Sequence, residues 1–171
     1  MTSHLPGASI PAELALVATD GTTVKLSELP GLTILFCYPR TGAPGEEIPE
    51  EWNNTPGARG CTAEAINYGK KFTALTELGV NTVFGLSVQS TQYQQEVKER
   101  LHLPFDLLSD EKLDFVKALQ MPTFEWQGSP LVKRCTLALK DGKVKHVWYP
   151  VFPAAENADE VAKWLKAGKW Q

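Results

Sequence analysis

Three cysteines, Cys37, Cys61 and Cys135, are the residues of this chain best suited to nucleophilic or redox chemistry. Cys61 lies where a long loop meets a helix that the apolar spacing predicts, and Gly57 and Gly60 allow the backbone before it to bend. Free N–H groups at the start of a helix carry partial positive charge, which favours a thiolate and lowers the thiol pKa. This position indicates a reactive thiol, although a small residue packed in the first helical turn fits the same pattern.

The other two cysteines fall in predicted strands, where cysteine ordinarily behaves as a small buried hydrophobe. Cys37 lies near the carboxyl end of its strand, the edge that lines the ligand crevice of α/β sheets. Cys135 follows Arg134, and the alternation of side chains along a strand predicts that these two residues face opposite sides of the sheet. We therefore expect core roles for both cysteines, with service as a second thiol as the alternative.

Several classes of site are not supported by the sequence. No Cys-x-x-Cys pair is present, which argues against a thioredoxin-type dithiol, and an odd cysteine count fits a reducing compartment better than a secreted disulfide scaffold. The three histidines have no cysteine at metal-ligand spacing, so no metal is expected. No glycine motif for phosphate or dinucleotide binding occurs, so no cofactor is expected.

The charge and hydropathy of the chain bear on its partners and its compartment. The formal net charge is -3, so no basic field is available for nucleic acid or an anionic membrane. The first residues lack the pattern of a targeting segment, and the longest apolar stretch, 32–38, is too short to span a bilayer. We expect a cytoplasmic protein that contacts neither nucleic acid nor membrane.

The elements that position the cysteines follow from apolar periodicity and turn signals. Strands and helices alternate in the middle of the chain, between hairpin signals at Asp20-Gly21 and Asp141-Gly142. The predicted elements are an N-terminal hairpin in 14–29, a strand at 32–38, a helix from Cys61 to Gly79, a strand at 80–88, a helix with a Thr91–Gln94 capping box, a strand at Leu107-Leu108, a helix capped by Asp110, a hairpin in 134–149 and a helix from Asn157. This order predicts one α/β domain over residues 1–171, with a mixed sheet covered by helices on both faces.

A loop of about twenty residues, 39–60, separates the first long strand from the helix that begins at Cys61. It is rich in proline and glycine and shows no periodicity. Loops of this length in a compact domain are usually functional or disordered.

Four segments resemble the peroxiredoxin (AhpC/TSA, redoxin) family, and most of all its bacterioferritin-comigratory or Q-type branch. They are Phe36-Cys-Tyr-Pro39, Gly60-Cys-Thr-Ala-Glu-Ala65, Leu103-Pro-Phe-Asp-Leu-Leu-Ser-Asp110 and Arg134-Cys-Thr-Leu-Ala-Leu-Lys-Asp-Gly142. Together they span nearly the whole chain, and their order and spacing are more specific than any one of them. The resemblance implies a thioredoxin-like fold.

The resemblance also implies a thiol peroxidase. Cys61 would attack a small hydroperoxide and become a sulfenic acid, and Arg134 would stabilise the thiolate and the developing charge. Pro39, Gly60 and Thr62 would form the substrate pocket. A thiol reductant such as thioredoxin, glutaredoxin or glutathione would restore Cys61, in a protein that is a monomer or a homodimer.

The chain departs from the family pattern at three places. Asn54 and Ala58 stand where the family usually has Pro and Thr or Ser, so the hydroxyl that contacts peroxide is missing unless Thr55 or Thr62 replaces it. Residues 40–54 form an insertion that is suited to a lid or a partner surface. Ile66 occupies the position of the resolving cysteine of many Q-type members.

The third departure leaves three ways to reduce oxidised Cys61: an external thiol, which we rank first; Cys37 or Cys135 after local unfolding; or a second Cys61 across a subunit interface.

Two other functions are also compatible with the sequence. One is a non-catalytic interaction protein with Trp126, Trp148 and Trp170 on a partner surface. The other is a thiol reductase with a different oxidant, because the fold does not fix the substrate.

Overall fold

The computed structural model of the protein describes residues 1–43, 45–168 and 170, and within them nine strands and five α-helices follow one another along the chain. The strands are β1 Leu16–Ala18, β2 Thr23–Val24, β3 Leu32–Cys37, β4 Val80–Ser87, β5 Asp106–Ser109, β6 Thr123–Trp126, β7 Ser129–Val132, β8 Cys135–Lys140 and β9 Lys143–Trp148. The helices are α1 Glu50–Asn54, α2 Cys61–Glu77, α3 Thr91–Leu101, α4 Asp114–Leu119 and α5 Asn157–Lys166.

Seven strands form one mixed sheet in the order β2-β1-β5-β4-β3-β8-β9. Strands β3, β4 and β5 are parallel to one another, whereas β8 pairs with β3 and β1 pairs with β5 in the antiparallel sense. Strand β3 lies between two neighbours in the interior of the sheet, which explains why all six of its residues are buried. The predicted hairpins β1–β2 and β8–β9 are both present.

The sheet separates two apolar layers, and the three cysteines are divided between them. One layer holds Cys37 and Cys135 with residues of α4 and of the N-terminal segment. The other layer holds Cys61 with residues of α2 and α5. Helices therefore pack on both faces of the sheet, as the sequence predicts.

An aromatic stack fixes the helix α2 against the strand β3. The rings of Phe36 and Tyr68 are stacked with centroids 4.4 Å apart, and Phe105 meets Phe36 edge-on at 5.6 Å. Aromatic pairs at these separations add stabilisation beyond the area that they bury. Because Tyr68 lies two turns after Cys61, this stack positions the N-terminal end of α2, where Cys61 lies, over the sheet.

Two elements were missed by the sequence analysis. The loop 39–60 contains the short helix α1, and the hairpin β6–β7 follows α4 as a separate two-stranded sheet. They pack on each other, since the Trp52 ring of α1 lies 4.8 Å from that of Trp126. A helix of five residues is too short to show a period, and tertiary burial of Trp52 is what makes it form.

The N-cap of α3 also differs from the prediction. The capping-box interpretation makes Thr91 the cap, but in the structure Thr91 is the first helical residue and Ser90 is the cap. The Ser90 hydroxyl accepts a hydrogen bond from the Tyr93 backbone N–H at 3.2 Å. The cap lies one residue earlier because Ser90 keeps the extended backbone conformation that an N-cap requires.

Replacing Ser90 with alanine is expected to lower the free energy of unfolding by about 1 kcal/mol, because it leaves one backbone donor of α3 without its partner. The matched variant Thr91→Ala removes a hydroxyl from the neighbouring residue and should change stability much less. Urea denaturation followed by circular dichroism measures both. Equal losses in the two variants, or a larger loss for Thr91→Ala, would show that the cap has been misassigned.

Candidate active site

Cys61 is the first residue of α2, at the position that the sequence predicts. Gly60 before it has a φ of 100°, and a side chain there would place its Cβ 2.9 Å from the Cβ of Ala154. Glycine is therefore needed at this position both for the backbone conformation and for the close approach of the residue 154 region. The result is a sharp entry into α2 that leaves Cys61 at the helix N-terminus, 4% exposed.

Arg134 contacts both the Cys61 sulfur and the loop segment 57–59 that precedes it. Its Nη2 lies 3.0 Å from Cys61 Sγ and donates to the backbone carbonyls of Gly57, Ala58 and Arg59 at 3.0 to 3.1 Å. The guanidinium is 4% exposed, so water screens these contacts little. A planar fork of donors suits this task, because one side chain reaches the sulfur and three carbonyls together.

Glu64 is a member of this cluster to which the sequence analysis gave no role. Its Oε1 accepts a hydrogen bond from Arg134 Nη1 at 2.8 Å, and the residue is fully buried. Burial raises the pKa of Glu64 to about 7, although the neighbouring Arg134 acts in the opposite direction. The spacing of three residues from Cys61 is the signal that could have found it, because residues three apart share one face of a helix.

The pKa of the Cys61 thiol differs from the expectation. Burial raises it above its ordinary value, and Arg134, which favours the thiolate, offsets only part of that effect. Glu64 adds to the rise, because a second negative charge nearby disfavours the thiolate. The sequence could not reveal this, since a motif shows the helix N-terminus and the arginine but not how deeply the sulfur is buried.

A cavity of about 1000 Å³ opens at Cys61. It is lined by segments 40–42, 46–49 and 52–63, by Ile66, by Trp126 and Gln127, and by 151–155. Of the pocket residues expected from sequence, Gly60 and Thr62 line it and Pro39 does not. Cys61 therefore lies at the wall of the cavity, with Arg134 beside its sulfur and outside the cavity lining.

The insertion predicted at 40–54, of which the structure describes residues 40–43 and 45–54, forms much of one wall of the cavity. Trp52 turns inward and is 8% exposed, while the Arg40 guanidinium lies over its ring at 6.0 Å and pairs with Glu46 at 2.8 Å. Arg100 on α3 donates to the carbonyl of Gly42 at 2.8 Å and ties the insertion to that helix. These contacts make the insertion a packed wall of the site.

Ala58 provides a backbone carbonyl where the family usually supplies a hydroxyl. That carbonyl accepts hydrogen bonds from Arg134 and, at 3.6 Å, from the Cys61 thiol. The Thr55 hydroxyl donates to the backbone carbonyl of Glu51 at 2.8 Å and is thereby engaged by α1. Both threonines line the cavity, and Thr62, which follows Cys61 directly, is the better placed of the two candidate substitutes because the Thr55 hydroxyl is engaged.

Cys37 and Cys135 are cross-strand partners on the face of the sheet opposite to Cys61. Both are fully buried, and burial raises the pKa of Cys37 well above its ordinary value and that of Cys135 to about 12. Arg134 and Cys135 point to opposite sides, as alternation predicts. Because the sheet intervenes, unwinding of α2 alone would not bring the Cys61 sulfur to either thiol.

The three tryptophans considered for a partner surface are half-buried and pack within the chain. Trp126 contacts Trp52, Trp148 meets Trp164 at a centroid distance of 5.2 Å, and Trp170 donates to the carbonyl of Leu165 at 3.2 Å. Their packing roles reduce the support for an interaction protein without catalysis.

A metal centre and a membrane span find no support in the described part of the chain. In residues 1–43, 45–168 and 170, no three His, Cys, Asp or Glu side chains lie together as metal ligands would. No helix among those residues has both the length and the apolar character that a membrane crossing requires.

Comparison with known proteins shows the family to which the chain belongs. The family model described as Redoxin matches residues 5–162. Peroxiredoxin Bcp of Bacillus subtilis is 27% identical over 165 residues, covering 92% of this chain and 90% of that protein. A putative peroxiredoxin bcp of Coxiella burnetii is 32% identical over 97 residues, 56% of this chain, and the match spans only 54% of that relative.

Solved structures share the fold over nearly the whole chain. A cysteine-to-serine variant of Xylella fastidiosa PrxQ superposes with a TM-score of 0.76 at 20% identity, covering 97% of this chain and 98% of that chain. Peroxidoxin BcpB of Mycobacterium tuberculosis gives 0.74 at 24% identity, covering 95% and 97%. The thioredoxin-like architecture implied by the sequence motifs is thereby confirmed. With the family match over most of its length, the chain belongs to the redoxin family, and its curated relatives are peroxiredoxins of the Bcp and Q types.

Proposed function

We propose that this redoxin is a thiol-dependent peroxidase in which Cys61 reduces a hydroperoxide and an external thiol then reduces Cys61. The observation that supports it most is the position of the Cys61 sulfur, which begins α2, faces the cavity and lies 3.0 Å from Arg134 Nη2. A cation beside a cysteine at a helix N-terminus favours the thiolate, which is the form that attacks peroxide, and Arg134 acts in this sense against the effect of burial.

The reaction begins when the Cys61 thiolate attacks the peroxide oxygen that carries hydrogen. A sulfur–oxygen bond forms, the oxygen–oxygen bond breaks, and its electron pair leaves on the other oxygen, which takes a proton to become an alcohol or water. The sulfur is oxidised to a sulfenic acid while the peroxide is reduced. Arg134 donates toward the reacting atoms and stabilises negative charge as it moves from sulfur to oxygen.

The shape of the cavity favours organic hydroperoxides alongside hydrogen peroxide. Its volume of about 1000 Å³ is far more than two oxygen atoms require. Ile48, Ile66 and Phe152 line it, with exposed fractions of 62%, 36% and 88%. Exposed apolar side chains around a cleft are typical of a surface that takes an apolar group. An alkyl chain on the substrate would contact them while the peroxide group reaches Cys61.

Reduction of the sulfenic acid falls to an external thiol such as thioredoxin, glutaredoxin or glutathione. One thiol condenses with the sulfenic acid to give a mixed disulfide and water, and a second thiol releases Cys61. Ile66 stands where many relatives carry a resolving cysteine, and the other two thiols lie across the sheet. A reducing compartment such as the cytoplasm supplies the thiols that this route needs.

A variant that carries Cys37→Ala and Cys135→Ala is expected to keep the rate of Cys61 oxidation and the turnover of the wild-type protein. Alanine suits both positions because each is enclosed in apolar packing. Stopped-flow oxidation by hydrogen peroxide and by an organic hydroperoxide, followed by turnover with glutathione and with thioredoxin, measures both steps. Oxidation no faster than that of a free thiol would refute the peroxidase, and turnover lost only in the double variant would show an internal resolving cysteine.

A further inference from the structure

The cluster of Cys61, Arg134 and Glu64 contains two groups that can become anions and one cation. Arg134 Nη2 lies 3.0 Å from the Cys61 sulfur, and Nη1 lies 2.8 Å from Glu64 Oε1. None of the three residues is more than 4% exposed. A thiolate and a carboxylate together would leave this buried cluster with one uncompensated negative charge, which the low dielectric of the interior strongly disfavours.

Arg134 is the cation whose charge acts on Cys61 and Glu64 among the described residues. Arg40 and Arg59 also line the cavity, but Arg40 pairs with Glu46 and Arg59 is exposed to solvent. The other titratable groups on the side of the cluster are Tyr38, which follows β3, Tyr68 from α2 and Glu160 from α5, while Cys37 and Cys135 lie on the other side of the sheet. All of these are neutral or negative, and Glu160 disfavours a charge on Glu64.

The hydrogen bonding of Glu64 points the same way. Its Oε1 has Arg134 as partner, whereas its buried Oε2 accepts no hydrogen bond among the described residues. An ionised carboxylate needs donors at both oxygens when water is excluded. With a proton on Oε2 the group is neutral, and a buried hydroxyl without a partner costs less than an ionised oxygen without one, so the environment favours the neutral carboxyl group when a thiolate pairs with Arg134.

We propose that Cys61 and Glu64 compete for Arg134, so that the cluster holds one negative charge and Cys61 becomes a thiolate as the remaining proton passes to Glu64. Glu64 is then a positioning residue, because it acts through Arg134 and does not line the cavity. The inference rests on the proposed function in one respect, namely that Cys61 is the reacting thiol.

The protons balance over one cycle. The Cys61 thiol and the Glu64 carboxylate become a thiolate and a carboxylic acid, with no change in the charge of the cluster. Attack on the peroxide gives a neutral sulfenic acid and an alkoxide or hydroxide, which takes a proton from water in the cavity. Arg134 then pairs with Glu64 alone, and the carboxyl group returns its proton to solvent.

Competition between Glu64 and Cys61 predicts a change in the Cys61 thiol pKa that is opposite in sign to the change predicted by a purely structural role of Glu64. If Glu64 serves only to hold Arg134 in place, replacing it with glutamine loosens Arg134 and raises the thiol pKa of Cys61. If Glu64 competes, glutamine removes the rival anion while its amide oxygen still accepts from Nη1, and the thiol pKa falls.

The test is the pH dependence of alkylation of Cys61 by iodoacetamide, with the modified cysteine identified by mass spectrometry. In the wild-type protein we expect two steps, since two coupled groups lose their protons in sequence. In Glu64→Gln we expect one step, with a midpoint about one pH unit or more below the upper wild-type step, which is about a tenfold change in thiolate content. The control Glu77→Gln, an exposed glutamate near the end of the same helix, should match the wild type.

Two results would overturn the competition: a midpoint in Glu64→Gln at or above the upper wild-type step, or a single step in the wild-type protein. The second needs no variant and therefore stands even if Glu64→Gln does not fold, which circular dichroism reveals. Alkylation involves no peroxide. A protein with the expected profile and no peroxide turnover would refute the proposed function and leave the competition intact.

Discussion

Replacing Cys61 with serine is expected to abolish peroxide turnover, with a loss on the order of 10⁴-fold or more, as when the nucleophile of a covalent enzyme is removed. The serine hydroxyl is not ionised at neutral pH and cannot be carried through the sulfenic acid stage. Peroxide consumption in the presence of glutathione or thioredoxin measures the effect.

The substitution is mild for the fold, so that loss of activity reports on chemistry. A serine oxygen can still accept from Arg134 Nη2 and donate to the carbonyl of Ala58, the two partners of the Cys61 sulfur. The buried pair of Arg134 and Glu64 stays intact. The thermal unfolding midpoint of Cys61→Ser should therefore remain close to that of the wild-type protein.

The double variant Cys37→Ala with Cys135→Ala is the matched control, because it removes two thiols and keeps Cys61. Burial keeps both of those thiols protonated, with the pKa of Cys135 raised to about 12, so they contribute little nucleophile at neutral pH. If Cys61→Ser retained turnover and the double variant lost it, the reactive thiol would lie on the other face of the sheet and the assignment would fail.

The placement of the reactive groups could be predicted because it depends on local signals. Gly60 before a helical apolar stripe fixes Cys61 at the start of α2, and strand alternation puts Arg134 on the side opposite to Cys135. These inferences need only the neighbouring residues, and in the structure Cys61 and Arg134 lie at the predicted positions. The catalytic roles of Cys61 and Arg134 stay predictions until the variants are measured.

The electrostatic character of the site could not be predicted, because it depends on burial by distant segments. The helix α1 and the hairpin β6–β7 show no clear period, yet with residues 151–155 they enclose the cavity around the sulfur. The Cys61 sulfur is buried among these segments, and desolvation outweighs the effect of Arg134 on the pKa of Cys61. A sequence motif lists the charges of a site but not its dielectric.

Replacing Arg134 with lysine is expected to slow the oxidation of Cys61 by about 10²–10³-fold, the loss that follows removal of one preorganised donor from an active site. Lysine keeps the positive charge but presents its donors from a single nitrogen. Arg134 uses one nitrogen for Glu64 and another for the Cys61 sulfur and three carbonyls, and no single ammonium group can reach both sets. Stopped-flow oxidation by hydrogen peroxide measures the rate constant.

The control Lys71→Arg exchanges the same two residue types in an exposed ion pair, that of Lys71 with Asp159, and should leave the rate constant unchanged. Removing the charge of Arg134 altogether has a second consequence. A variant such as Arg134→Gln leaves Glu64 buried without its cation, which costs about 3–5 kcal/mol of stability when the carboxylate stays ionised. Slow oxidation of Cys61 in that variant would not distinguish a damaged fold from the loss of a catalytic group.

The double variant Arg134→Gln with Glu64→Gln separates the two, because no buried charge is left unpaired. We expect its thermal midpoint to recover toward that of the wild-type protein while oxidation of Cys61 remains slow. Recovery of both stability and rate would mean that Arg134 serves the fold alone, by neutralising Glu64. Recovery of stability without rate assigns to Arg134 the stabilisation of the thiolate and of the charge that leaves on the peroxide oxygen.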